Sequence, residues 1–166
     1  MKKFNKIMII GYARHGKDTV GEILQSLGYK ATSSSIYAAE KVIYPVLKQR
    51  YWYSTVEECF NDRFNHRDEW YELITEYNQH DKARLCREMI EDGYDIYIGL
   101  RNKEELDAAR HLYDVVVWVD ATERLGLTED TSSCTVTKDD ADFIIENNGG
   151  LAELEMKVIK IFGGVK

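Results

Sequence analysis

Gly11-Tyr12-Ala13-Arg14-His15-Gly16-Lys17-Asp18-Thr19 carries a lysine directly after the second of two closely spaced glycines. Binding of a phosphate chain needs this kind of backbone. Glycines let the chain turn back so that successive N–H groups converge on a concave anion site. A helix that starts at the lysine adds the partial positive charge of its N-terminus. The Lys17 ammonium adds a full charge at the terminal phosphates. On this reading Gly11, Ala13, Arg14, His15, Gly16, Lys17, Asp18 and Thr19 bind the phosphate chain of a nucleotide, and His15 serves through its backbone N–H more than its ring. Such loops usually continue with a hydroxyl residue that ligates Mg²⁺. Here Asp18 stands in that place and a hydroxyl follows only at Thr19.

The flanking sequence supplies the elements that would hold such a loop. Ile7-Met8-Ile9-Ile10 precedes it as a buried strand, and Val20, Ile23, Leu24 and Leu27 follow on one helical face, with Gly28 where a helix would stop. Further strand-like runs lie near Tyr29–Ser33 and at Tyr94–Ile98, Asp114–Val119 and Ala141–Ile145, and the first run extends back to Phe4. Val115-Val116-Val117-Trp118-Val119 lacks alternation, as a strand covered on both faces does. Strands alternating with helices predict an α/β fold of three layers around a mostly parallel five-stranded sheet, in a single domain spanning 1–166.

A long helical insert, about 36–92, separates the second strand from the third. Its first helix begins near Ile36, and the only proline, Pro45, should bend or interrupt it. Trp70, Leu73, Ile74 and Tyr77 form one apolar stripe; Leu85, Cys86, Met89 and Ile90 form another. A helix around Lys103–Leu112 follows the third strand, and the closing helix carries Leu151, Leu154, Val158 and Ile161 on one face. Thr122–Thr137 is rich in Thr, Ser and charge. It is either a solvated loop or a short lid over bound phosphates, because it falls at the carboxyl edge of the sheet where ligands of such folds bind.

With 166 residues, 44% hydrophobic and 31% charged, the composition is that of a soluble globular protein. The net charge of −7 argues against a nucleic-acid polymer as partner but leaves a nucleotide open, since a few placed cations serve it locally. No apolar run approaches membrane-spanning length, so no membrane partner is expected. Cys59, Cys86 and Cys134 have no metal-ligand spacing and point to a reducing, cytoplasmic setting. A homodimer is compatible with all of this.

Several stretches together resemble the P-loop nucleoside monophosphate kinases, most closely the bacteriophage deoxynucleoside monophosphate kinases, with dephospho-coenzyme-A kinase as a cousin. Gly16-Lys17-Asp18-Thr19 looks like the phage variant of the loop. Gly99-Leu100-Arg101 followed by Glu104-Glu105-Leu106-Asp107-Ala108-Ala109-Arg110 is similar to the third-strand exit and the helix after it. Ala141-Asp142-Phe143-Ile144-Ile145-Glu146-Asn147-Asn148-Gly149-Gly150-Leu151-Ala152-Glu153-Leu154 resembles the last strand, its Asn-Gly turn and the closing helix. The resemblance covers the scaffold and leaves the insert largely unmatched. It implies a P-loop kinase fold and phosphorylation of a (deoxy)nucleoside 5′-monophosphate by ATP with Mg²⁺, in the host cytoplasm if the chain is phage-encoded. Two alternatives stay open: a small-metabolite kinase of the dephospho-CoA or phosphomevalonate type, and a non-catalytic nucleotide-binding module.

Related kinases often carry an aspartate where the third strand ends, and Gly99 occupies that place here. Asp18 is then either the metal ligand or an acid complementing the helix dipole, with Asp120 in reserve. Phosphoryl transfer needs two anionic substrates held in line and the charge on the moving group neutralised. Lys17, Arg14 and Arg124 are the candidates at the transferring phosphate. On the acceptor side a guanidinium grips phosphate oxygens in two places. Arg101 resembles the family's substrate arginine, and Lys41, Arg63, Arg67 and Trp70 are the other acceptor candidates. Arg63 and Arg67 could equally pair with Asp62, Asp68 or Glu69, and Trp70 could equally belong to the core.

Overall fold

A computed structural model of the chain describes residues 3–164. In chain order its elements are β1 (Ile7–Ile10), α1 (Lys17–Ser26), β2 (Ala31–Ser33), α2 (Ser34–Ala38), a π-helical turn (Ala39–Ile43) and α3 (Tyr44–Tyr51). Next come α4 (Val56–Asn61), α5 (Arg67–Tyr77), α6 (Arg84–Glu91), β3 (Ile96–Ile98), α7 (Lys103–Ala109) and β4 (Val115–Asp120). The short α8 (Thr122–Leu125), β5 (Phe143–Glu146) and α9 (Leu151–Phe162) complete it.

The strands form one five-stranded sheet in the order β2-β3-β1-β4-β5, and every pairing is parallel. The expected sheet is therefore present, and it is wholly parallel. Pleating sends alternate residues to opposite faces, and this sheet is apolar on both. Met8, Ile10, Tyr97, Val116 and Trp118 pack with the insert helices and α7. Ile7, Ile9, Ile96, Ile98, Val115 and Val117 pack with α1 and α9. All four residues of β1 are fully buried. Each such aliphatic side chain contributes about 1.5–3 kcal/mol relative to exposure, which makes the central strands the stable platform of the molecule.

The strands are shorter than the apolar runs suggest. Asn5 and Lys6 give their N–H groups to the Asp114 carboxylate at 2.7 and 2.9 Å, so β1 begins only at Ile7. In the insert the interruption ascribed to Pro45 is real. The π turn ends at Ile43, directly before α3, which carries Pro45 in its first turn, where a missing N–H costs nothing. The helix starts at Ser34, capped by Ser33 Oγ, slightly earlier than its apolar pattern indicates. In α9 the core contact is carried by Leu154, Val158 and Phe162, while Leu151 lies exposed in the first turn.

All strands point the same way, so their carboxyl ends share one edge. From β1 the chain passes through α1 toward β2, whereas from β3 it passes through α7 across β1 to β4. The crevice at the end of β1, where these connections diverge, is where a ligand of such a sheet binds.

Candidate functional site

The loop from Gly11 to Gly16 is held from three sides. Gly16 has φ +100°, and a Cβ there would collide with Nδ2 of Asn147. That amide, buried just after β5, donates to His15 O at 2.9 Å. Only glycine meets both demands. Lys17 is buried, and its Nζ donates to Gly11 O and Tyr12 O at 2.8 Å each. Burial, and secondarily the charge of Arg101, lowers the Lys17 pKa to about 8. The ammonium is thus folded over loop carbonyls, from which a phosphate chain would draw it.

The ring of His15 contributes more than the sequence reading gave it. It is fully buried, accepts the Ala121 N–H at Nδ1 and faces Gly126 O through Nε2, at 3.0 Å each. These partners require the neutral ring with its proton on Nε2. Burial lowers its pKa accordingly. One side chain of the loop therefore ties it both to the end of β4 and to the lid segment.

Two further lid residues reach the loop. Thr128 Oγ1 donates to Ala13 O, and Glu129 accepts the Ala13 N–H at 2.8 Å while its other oxygen pairs with Arg101. The Glu129 side chain is only 6% exposed, so a carboxylate is inserted between the Ala13 amide and Arg101. Sequence reasoning missed Glu129, since nothing in the spacing of Thr122–Thr137 separates it from Glu123 or Asp130. Through Thr128 and Glu129 the segment lies against the Gly11–Gly16 loop.

Arg101 leaves β3 as expected, and its carbonyl accepts the Thr135 N–H at 2.8 Å, joining the strand exit to the far end of the lid. Gly99 just before it has φ +96°, and a Cβ there would lie 4.0 Å from Lys17 Cε. Backbone conformation therefore disfavours an acid at this position.

Arg63 and Arg67 show no carboxylate partner among the described residues. Two of the acids that could have paired with them are engaged, Asp62 by Tyr53 and His66 and Glu69 by Arg50 and Tyr51, and the third, Asp68, lines the smaller cavity without an ion pair to either arginine. Arg63 instead stacks 3.9 Å over Phe60 and 4.3 Å over Phe64, and Arg67 lies 5.1 Å from Phe64. Burial pushes the Arg63 pKa down. Trp70 forms part of the wall but is buried at 7% exposure within the core.

Lys41 is not brought to this place. It pairs with Asp92 at 3.2 Å over the Tyr37 ring and lines neither cavity described below. Arg124 also stays outside them, donating to Asn147 O at 3.3 Å. Arg84 and Arg87 pair with Glu88 and Asp81 as surface charges.

Two adjoining cavities open here. The larger, about 820 Å³, is lined by Ala13, Arg14, Lys17, Asp18, Arg63, Arg67, Arg101, Glu129 and Asp130 among others. The smaller, about 570 Å³, lies under the insert and shares Ser34, Ser35, Arg67, Gly99, Arg101 and Ser133 with the first. Among the described residues no group of three or more His, Cys, Asp or Glu is arranged to hold a metal by itself. Asp18, exposed in the first turn of α1, and the Asp120 carboxylate, engaged by Thr122 N at 2.8 Å, differ in availability. A single free carboxylate beside a phosphate site suits Mg²⁺, which completes its shell with phosphate oxygens and water. Thr19 lines neither cavity.

No family model and no curated protein matches the chain. Among solved structures, TT1252 from Thermus thermophilus is similar at a TM-score of 0.52 and 17% identity, over 93% of this chain and 94% of that one. That likeness shows a shared fold. Dephospho-CoA kinase from Campylobacter jejuni gives 0.48 at 15% identity over 95% of each chain. Shikimate kinase from Aquifex aeolicus gives 0.44 at 16% identity over 93% of this chain and 94% of that one. Among the described residues no helix is long and apolar enough to cross a membrane.

Proposed function

We propose that the chain is a kinase that moves the γ-phosphoryl group of ATP onto a (deoxy)nucleoside 5′-monophosphate, forming the diphosphate. The observation that carries this reading is the convergence of Arg14, Lys17, Arg63, Arg67 and Arg101 on one cavity, in a chain of net charge −7. Arg101 pairs with Glu129, but the other four have no carboxylate partner among the described residues, and structure alone gains nothing from crowding them. A pair of phosphate-bearing ligands explains them.

The donor's phosphates would lie along the loop amides, with Lys17 turning from Gly11 O and Tyr12 O to the terminal phosphate. An ionised oxygen of the acceptor phosphate attacks the γ-phosphorus, the bond to the bridging oxygen breaks, and ADP leaves. That nucleophile carries no proton to remove, so the residues' work is alignment and charge neutralisation. Arg67 and Arg101, which line both cavities, would hold the acceptor phosphate between its two halves of the site. Stacking on Phe60 and Phe64 keeps Arg63 ordered before any ligand arrives. Asp18 would hold Mg²⁺ together with the phosphates, and the ion supplies further positive charge. The insert and the lid would exclude water, whose attack on the γ-phosphate would waste ATP.

Release of ADP in the presence of each common ribo- and deoxyribonucleoside monophosphate, of dephospho-CoA and of phosphomevalonate tests the reading. Turnover is expected with at least one monophosphate. Turnover confined to the other metabolites would move the acceptor class, and ATP binding without turnover on any acceptor would remove the kinase.

A further inference from the structure

Glu105 is a half-buried carboxylate with no part in the chemistry above. It lies in α7, four residues past Arg101, and its side chain lines the smaller cavity. Oε1 accepts from Nδ2 of Asn78 at 3.2 Å. Asn78 is almost wholly buried, and its Oδ1 accepts the Leu85 N–H at 3.3 Å, so its amide is held at both ends. This arrangement fixes the direction of the carboxylate. Among the described residues Oε2 has no hydrogen-bond partner, and no cation pairs with Glu105; the nearby Lys82 pairs with Glu104 instead. Burial pushes the Glu105 carboxyl up. Partial burial strips some water from this carboxylate while leaving Oε2 open to the cavity, where a ligand N–H could reach it.

The rest of the cavity describes that ligand. Ile74, Leu85 and Tyr97 supply apolar wall, and Arg67 and Arg101 supply cations. A molecule with an anionic group and a flat ring bearing N–H donors suits both features. An ionised carboxylate only accepts hydrogen bonds, and its two oxygens match two parallel N–H groups. Guanine presents such a pair, its ring N1–H beside its 2-amino group. Adenine and cytosine each set an N–H beside a ring-nitrogen lone pair, and thymine sets its N–H between two carbonyls. In those bases a lone pair faces the carboxylate.

We propose that Glu105 is the specificity-determining residue of the acceptor pocket and that it selects guanine as the base of the monophosphate. This rests on the monophosphate kinase reading. Asn78 is then a positioning residue that aims the carboxylate.

The test compares kcat/KM for the guanine, adenine, cytosine and thymine deoxynucleoside monophosphates in the natural protein and in Glu105→Gln, with ATP affinity measured in both. Guanine is expected to be the best acceptor. Glu105→Gln should lower its kcat/KM roughly ten- to hundredfold, chiefly through KM, the value of one bidentate base contact. Adenine should lose less or gain, because an amide can donate to its ring nitrogen and accept from its amino group. Unchanged ATP affinity would report an intact fold. A loss uniform across the bases would make Glu105 a structural prop and overturn the proposal. Another base preferred by the natural protein would overturn it while leaving the kinase standing. No turnover on any monophosphate would remove both.

Discussion

The Glu129 carboxylate accepts the Ala13 N–H at 2.8 Å with one oxygen and pairs with Arg101 through the other. A side chain of the lid thereby occupies an amide and a guanidinium that a phosphate group would use. On the proposed function ATP would have to displace it, against the opposition of its negative charge to the incoming phosphates. Glu129→Ala is expected to tighten ATP binding about tenfold, since a charge-assisted hydrogen bond no longer competes. Cleavage within Thr122–Thr137 by a protease should quicken as this anchor goes. Calorimetric titration decides the matter: weaker ATP binding in the variant would make Glu129 part of the nucleotide site instead of a stand-in for its ligand.

Lys17 gives the site a pH response whose sign follows from its surroundings. Burial lowers its pKa from 10.5 to about 8, so in the free protein the ammonium loses its proton as pH rises through that value. A bound triphosphate stabilises the charged form and restores the proton. ATP binding is therefore expected to take up protons near pH 8 and to weaken above it. Titrations in buffers of differing ionisation enthalpy measure that uptake directly. Without ATP the unfolded chain binds more protons than the folded one between about 8 and 10.5, so this group's contribution to stability rises with pH across that window. Lys17→Met should abolish the proton uptake and cut turnover by on the order of a hundredfold or more. Equal ATP heats in all buffers would show that the lysine is charged throughout.

What the sequence made legible was local. The glycine loop between β1 and α1 is contiguous, and its glycine spacing states its backbone shape. The strands of the core announce themselves because a doubly covered strand has no polar face to disguise it. The long-range pairings were not readable. Asn147 against Gly16, Glu129 against Ala13 and Arg101, and Asn78 against Glu105 join segments with no common period, and each depends on how loops lie at one sheet edge. Lys41 shows the same blindness in reverse, since Asp92, distant in the chain, holds it away from the cavities. That Arg63 and Arg67 pair with neither Asp62 nor Glu69 was equally hidden, because those carboxylates are bound by Tyr53 and by Arg50.

The arginines that line both cavities should separate by kinetics. Arg67 has no carboxylate partner among the described residues, so Arg67→Ala is expected to raise acceptor KM about tenfold with ATP affinity unchanged. Arg67→Lys should recover only part of this, because an ammonium keeps the charge and loses the planar fork. Arg101→Ala would remove the proposed phosphate contact and also frees Glu129, and should shift both acceptor KM and ATP affinity. Steady-state measurements varying each substrate in turn make the comparison. Equal effects of both alanine variants on ATP alone would place the two arginines on the donor.

His15 should couple the lid to acidity. Its neutral ring accepts the Ala121 N–H and faces Gly126 O, and a second proton would set an N–H against the Ala121 N–H. Burial lowers its pKa from 6.5, helped by the charges of Lys17 and Arg124; the Gly126 carbonyl and Asp120 oppose the shift without cancelling it. Between the folded value and 6.5 the unfolded chain binds more protons, so stability falls as pH drops through that window. Proteolysis within Thr122–Thr137 should therefore be faster at about pH 5 than at about pH 7.5, ahead of cleavage in the central strands. A His15→Phe chain, with no acceptor at any pH, should show the faster cleavage throughout and little change between the two conditions. Persistence of the natural protein's pH dependence in that variant would assign the response to another group, with Asp120 and its Thr122 bonds the first to examine.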